Sequence, residues 1–194
     1  IKDDDIIRII EVSSFQLENI KSFNPHCAII LNITEDHMDR HKSMMNYASI
    51  KFKIANFQSE NDFLILNLDD KYTNKVIQSS IFSSIKSQKI YFSLSKTNIS
   101  NLYSKDYFIF YDLYNTNGRI DSSDIKLKGK HNISNILAGL GALKLFDVND
   151  SDIERLIKDF KPLPHRLEFV CELNGVKCFN DSKATNPDAT IKAL

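Results

Sequence analysis

Ile29-Ile30-Leu31-Asn32-Ile33-Thr34-Glu35-Asp36-His37-Met38-Asp39-Arg40-His41 sets an apolar run directly before a burst of chemistry-bearing side chains. The run reads as a buried strand that stops at Asn32, and the nine residues after it hold two histidines, two aspartates, a glutamate and an arginine. In open α/β sheets ligands collect beyond the carboxyl ends of the strands, so this order points to a site carried by a parallel sheet. The same residues also fit a solvated loop and helix start, with Thr34 as N-cap and Glu35 and Asp36 favoured by the helix dipole.

Upstream, the β-branched run Ile6 to Val12 predicts a strand with Glu11 at its tip, followed by a helix start at Ser13-Ser14-Phe15-Gln16-Leu17-Glu18. A carboxylate at a strand tip is suited to Mg²⁺, which prefers hard oxygen ligands; an exposed strand-end acid is the plainer alternative. Downstream, Ser43 to Phe57 predicts a helix with the stripe Met44, Tyr47, Ala48, Lys51, Ile54 and Ala55. Lys51 falls inside that stripe and must snorkel, pair or lose its charge. Lys53, on the opposite face, reads as a solvated lysine.

Further strands are expected at Phe63 to Asn67 and Lys89 to Ser93, with a helix between them that opens at Asp69-Asp70 and runs to about Phe82. From Thr97 to Lys128 the pattern turns to alternating and aromatic strands such as Tyr107 to Tyr111, with Asn117-Gly118 as a hairpin signal. Gly129 to Phe146 predicts a helix in which Asn132 and Asn135 lie three apart near the start. They could grip a nucleotide, or Asn132 could simply cap. Gly139 and Gly141 weaken that helix, and close packing would account for them. After a helix at Ser151 to Phe160, Lys161-Pro162-Leu163-Pro164 reads as a domain boundary. Strands at Leu167 to Leu173 and Val176 to Asn180 then flank the turn Asn174-Gly175. Asp181-Ser182-Lys183-Ala184-Thr185 follows, before a helix with Asn186 as N-cap and Pro187 at its first position, where Thr185 and free N–H groups could receive an anion.

Lys plus Arg and Asp plus Glu balance at 25 each, so no net field argues for nucleic acid or a membrane surface. Three cysteines, Cys27, Cys171 and Cys178, are an odd number at spacings that argue against a disulfide framework and for a reducing compartment. No apolar run approaches a bilayer span. The chain begins at Ile1 rather than Met and is expected to be a piece of a longer protein.

Five motifs in this order resemble the Mur ligases: Glu11 to Glu18; Asn32 to Arg40 with Tyr47 and Lys51; Gly129-Lys130-His131-Asn132 with Asn135; Leu163-Pro164-His165-Arg166; and Asn180 to Asn186. The Thr34 to Arg40 and Asp181 to Asn186 runs look like those members that add D-glutamate. Other Mur ligases and folylpolyglutamate synthetase share the layout but carry different residues after the last strand. The resemblance implies an α/β fold. Residues 1–160 would form a mostly parallel sheet flanked by helices, a P-loop-type central domain with a small antiparallel sheet, and residues 161–194 would begin a Rossmann-like carboxyl-terminal domain.

It further implies an ATP-dependent amide ligase: a substrate carboxylate takes the γ-phosphoryl group and the amine of D-glutamate attacks the acyl phosphate. ATP and Mg²⁺ would be the cofactors, and UDP-N-acetylmuramoyl-L-alanine and D-glutamate the partners, in a cytoplasmic enzyme that is monomeric when intact. Glu11 and His37 would ligate Mg²⁺, together with Lys51 as a carbamate. Lys51, His37 and Lys183 would be catalytic. Asn132, Asn135 and Arg166 would contact the nucleotide, with Asp181 on its ribose side. Ser13 and Gln16 would meet substrate, and Lys183 and Thr185 the D-glutamate end. The chain departs from the family in having no G-x-x-x-x-G-K-[ST], its five glycines being 118, 129, 139, 141 and 175. A fragment inactive by itself is therefore expected; a non-catalytic nucleotide-binding module is the alternative from another class.

Overall fold

The computed structural model describes residues 6–114, 116–127, 129–161, 163–185 and 190–191. Strands β1 (Cys27–Ile30), β2 (Phe63–Asn67), β3 (Gln88–Ser93), β4 (Leu102–Lys105), β5 (Phe108–Leu113) and β6 (Thr116–Asp121) form one sheet in sequential order. The first four are parallel, and β5 and β6 extend the sheet antiparallel. Helices α1 (Ser14–Glu18), α2 (Met38–His41), α3 (Met44–Phe52), α4 (Lys71–Ile77), α5 (Ser80–Ser83), α6 (Lys130–Leu145) and α7 (Asp150–Asp159) complete the body. Strands β7 (Glu168–Leu173) and β8 (Val176–Asn180) pair as a separate antiparallel hairpin.

Side-chain alternation splits the core into two layers. Leu64 and Leu66 of β2 join Ala28 and Ile30 of β1 beneath Tyr47, Ala48 and Phe52 of α3 and Val76 of α4. Ile65, one step out of phase, faces the other side with Ile90, Leu102, Ile109 and Ile120, beneath Leu137 and Leu140 of α6 and Ile153 of α7. Burial on both faces explains why the parallel strands read as continuous apolar runs. The carboxyl ends of these strands are tied together by polar side chains. Asn67 Nδ2 donates to Leu31 O at 2.9 Å, Asp70 accepts from Ile33 N at 3.0 Å while capping α4 through Thr73 N at 2.7 Å, and Asp69 accepts from Ser93 Oγ and Leu94 N at 2.7 Å each.

Several expectations change. Ile6 to Val12 forms no strand, and Ile9 is 96% exposed; a strand needs a ladder partner, and among the described residues β1 pairs only with β2. Thr34 caps nothing: α2 starts at Met38 with His37 in the left-handed region at φ 55°. The Asp69 to Phe82 helix breaks into α4 and α5. Asn117-Gly118 is not a turn but lies inside β6 opposite Asp112 and Tyr111, and the chain reverses instead after Leu113, with Tyr114 at φ 48°. A Cβ on Gly118 would come within 2.6 Å of Tyr111 Oη, so close approach explains that glycine. The N-cap of α6 is Gly129 at φ 99°, not Asn132. Gly141 packs closely, its Cβ position 3.3 Å from Ile65 Cδ1, whereas Gly139 meets nothing within 4 Å. Asn174-Gly175 does form the β7–β8 turn, both at positive φ. The helix expected from Asn186 and Pro187 lies outside the described residues.

Candidate active site

The cluster begins with α1. Ser13 caps that helix in a capping box: Gln16 N donates to Ser13 Oγ at 3.3 Å, and Ser13 N donates to Gln16 Oε1 at 2.8 Å. The box orients the backbone immediately after Glu11, which is exposed. His37 enters from the loop after β1. Its N–H donates to Asp36 Oδ1 at 2.9 Å, its Nδ1 lies 3.5 Å from the same oxygen, and its ring lies 4.9 Å from that of Phe15 on α1.

Lys51 comes from α3, one turn after Tyr47, with Nζ 5.1 Å from the centroid of the Tyr47 ring. Burial pulls its pKa below the ordinary lysine range, while the carboxylates of Asp36 and Glu11 act in the opposite sense. Tyr47 is held above the usual phenol range by burial and by Asp36. Glu11, Asp36, Tyr47 and Lys51 therefore share one electrostatic neighbourhood, with His37 adjoining through Asp36. Among the described residues no three His, Cys, Asp or Glu side chains converge closely enough to hold a metal ion by themselves.

Behind this group lies an arrangement that periodicity did not expose. His41 is fully buried, with Nε2 3.0 Å from Ser14 Oγ, Nδ1 3.7 Å from Glu18 Oε1 and without a hydrogen-bond partner, and its ring stacked 4.8 Å from Tyr47. Glu18 accepts from Arg40 Nε at 3.2 Å and from its terminal nitrogen at 2.6 Å, and that bond holds its carboxyl below the usual range. Lys53 is not merely solvated: its Nζ donates to Glu18 O at 2.8 Å and closes the end of α1. Helices α1, α2 and α3 are thus locked together around His41. The signal that could have found it is the spacing of His37 and His41, which puts both on one side of a helical turn.

Asn132 and Asn135 sit in the first turns of α6. Asn135 is exposed and edges an apolar groove of about 320 Å³ between α6 and α7, lined among others by Gly139, Leu143, Leu156 and Phe160. Arg166, Asp181, Lys183 and Thr185 belong to the hairpin region. Leu167 N donates to Asp181 Oδ1 at 3.1 Å and Lys183 N to His165 O at 3.2 Å, which places the Arg166 segment beside the Asp181 segment; Thr185 is exposed.

The fold is first that of a group of solved ligases. MurF from Acinetobacter baumannii superimposes with a TM-score of 0.67 at 17% identity, over 87% of this chain and 36% of that one. MurF ligase from Thermotoga maritima in complex with ADP gives 0.59 at 14%, over 88% and 38%. Residues 2–143 match the Mur ligase middle domain, and the chain belongs to the Mur ligase family. It is 42% identical over 193 residues to the UDP-N-acetylmuramoylalanine–D-glutamate ligase of Thermoanaerobacter sp. (strain X514), a match that covers 99% of this chain and 41% of that protein. The chain thus spans about two fifths of the length of the curated relative.

Proposed function

We propose that this chain is the central part of a cytoplasmic, monomeric ligase that uses ATP to join D-glutamate to UDP-N-acetylmuramoyl-L-alanine in peptidoglycan biosynthesis. The observation that carries the reading is 42% identity, sustained over 193 residues, to a relative of that name. The MurF folds do not choose the acceptor, since at 14–17% identity they speak for architecture alone. In this reading residues 1–160 form the nucleotide-binding body and residues 161–194 begin the next domain; the separate β7–β8 sheet supports the division.

The donor types suit Mg²⁺: the carboxylate of Glu11 acts on a lysine that burial inclines toward its neutral form, and the imidazole of His37 adjoins Asp36, which acts on the same lysine. A neutral Lys51 amine can add CO₂, forming a carbamate and releasing one proton, and the result supplies two further oxygens. Glu11, His37 and carbamylated Lys51 would hold the ion, which when bound with ATP neutralises charge on the transferred phosphoryl group. Tyr47 and Asp36 keep Lys51 in place, Asn132, Asn135 and Arg166 grip the nucleotide, and Asp181 supports its ribose. Ser13 and Gln16 line the substrate side, and Lys183 and Thr185 face the incoming amino acid.

The test is ligation by the protein expressed from its whole gene, with UDP-N-acetylmuramoyl-L-alanine, ATP, Mg²⁺ and a panel of amino acids. Product with D-glutamate alone is expected. Product with a different amino acid would move the protein to another branch of the family, and no phosphate release with any of them would make it a non-catalytic nucleotide-binding module.

A further inference from the structure

The spacing of the cysteines argues against a disulfide framework, and all three are free. The fold nonetheless sets two of them face to face. Cys171 in β7 and Cys178 in β8 are register partners, so their side chains leave the same face of the hairpin. The Asn174-Gly175 turn is a two-residue loop with both φ positive, at 51° and 82°. Such a loop closes on a hydrogen-bonded pair at Leu173 and Val176, and alternation makes Cys171–Cys178 the next one, a step at which Cα atoms stand about 5.5 Å apart. Disulfides bridge Cα separations of about 4.4–6.8 Å with Cβ atoms about 3.5–4.5 Å apart. Facing strand residues hold theirs about 4.5–5.5 Å apart, so closing this pair draws the strands together locally and leaves a strained, readily reduced bond. The ladder also shifts register between Phe169 and Cys171, an irregularity next to the pair at which the strand can bend.

We propose that Cys171 and Cys178 are a facing dithiol that closes into a cross-strand disulfide by exchange with a small-molecule disulfide, making this hairpin a site of reversible oxidation. One thiolate attacks the disulfide, forming a mixed disulfide and expelling one thiolate of the reagent. The second cysteine thiolate then attacks the mixed disulfide at the protein sulfur and expels the other. In sum, two protein thiols are oxidised by two electrons and the reagent is reduced to two thiols. The hairpin joins the Arg166 segment at its entry to Asp181 at its exit, held by the Leu167 N–H to Asp181 bond. A link between the strands would restrict their separation and keep those ends together. The inference stands on the strand register and does not depend on the ligase reading.

Cys27 serves as an internal control. It lies in β1 against the core, where burial pushes its thiol up to about 11 and leaves little thiolate at neutral pH. The 194-residue chain is equilibrated with glutathione and its disulfide, quenched with iodoacetamide, digested without reductant and weighed by mass spectrometry. The expected result is a peptide joining Cys171 to Cys178 that has lost two hydrogens, with Cys27 alkylated. Cys171→Ser and Cys178→Ser should each trap one glutathione on the remaining partner. Because the two cysteines are near in sequence, an unfolded chain can also close, so the same equilibrium is measured in urea. The folded chain should favour closure by roughly tenfold or more, the gain expected when the partners are pre-aligned. Equal closure in urea, stable glutathionylation of both residues without a link, or a link to Cys27 would each overturn the proposal.

Discussion

At Lys51 two demands meet: the helical stripe of α3 draws the side chain inward, and the carboxylates of Glu11 and Asp36 favour the charge that burial opposes. If Lys51 acts as a carbamate, Lys51→Ala in the whole protein should lose activity on the order of a hundredfold or more and regain part of it when acetate fills the gap. Lys51→Arg should stay inactive with or without acetate; an active Arg variant would remove the carbamate role. In buffer free of CO₂ the depressed pKa has a signed consequence for folding. The unfolded chain binds the extra proton between the depressed value and the ordinary 10.5, so stability should rise with pH through that window and fall back as pH drops through the folded value. Lys51→Met should flatten that slope in urea melts taken at successive pH values. His41 makes a separate test. His41→Phe keeps the stacking on Tyr47 but strands the buried Ser14 hydroxyl, costing about 1–3 kcal/mol, and adding Ser14→Ala should recover much of the loss because both partners are then apolar. Lys51 was legible from period alone. His41 was not, because its burial depends on Ser14 and Glu18, 27 and 23 positions away, and long-range packing leaves no local signature.

Elements teach a similar lesson through two Asn-Gly dipeptides. Asn174-Gly175 turns the chain, whereas Asn117-Gly118 runs straight through β6. Local turn chemistry is the same at both, and the difference comes from Tyr111. Its ring lies against Gly118 while its hydroxyl donates to Asp150 at 2.8 and 2.9 Å, and Lys144 Nζ reaches the same carboxylate at 2.9 Å. The α6–α7 elbow is thereby stapled to β5. Gly118→Ala should push the Tyr111 hydroxyl off Asp150 and destabilise the fold by about 1–3 kcal/mol in denaturant titrations, with Tyr111→Phe easing part of the added cost. A loss under a few tenths of a kcal/mol would show that the strand simply shifts aside. The parallel strands were easier to place, since burial on both faces writes an unbroken apolar run; the Ile6 to Val12 run carries the same pattern without a ladder partner, and composition could not distinguish them.

For the whole molecule, the family and the α/β architecture were legible because five short motifs kept their order. The sequential order of all six strands and the fusion of the antiparallel pair onto the parallel sheet were not, because pairing is decided by cores distant in sequence. Since no G-x-x-x-x-G-K-[ST] occurs in these 194 residues, the chain alone is expected to release no phosphate from ATP in the presence of Mg²⁺. Steady release above a heat-treated control would contradict this. The outer side of β1 adds a practical consequence. Among the described residues the sheet ends on β1, and the isoleucines at 6, 7, 9 and 10 are 47–96% exposed, so the chain offers both a strand edge and greasy surface for a second molecule to grasp. Solutions of this chain should therefore turn cloudy as they are concentrated, with light scattering that climbs faster than linearly, and Ile7→Lys with Ile9→Lys should keep them clear while leaving the unfolding midpoint where it was.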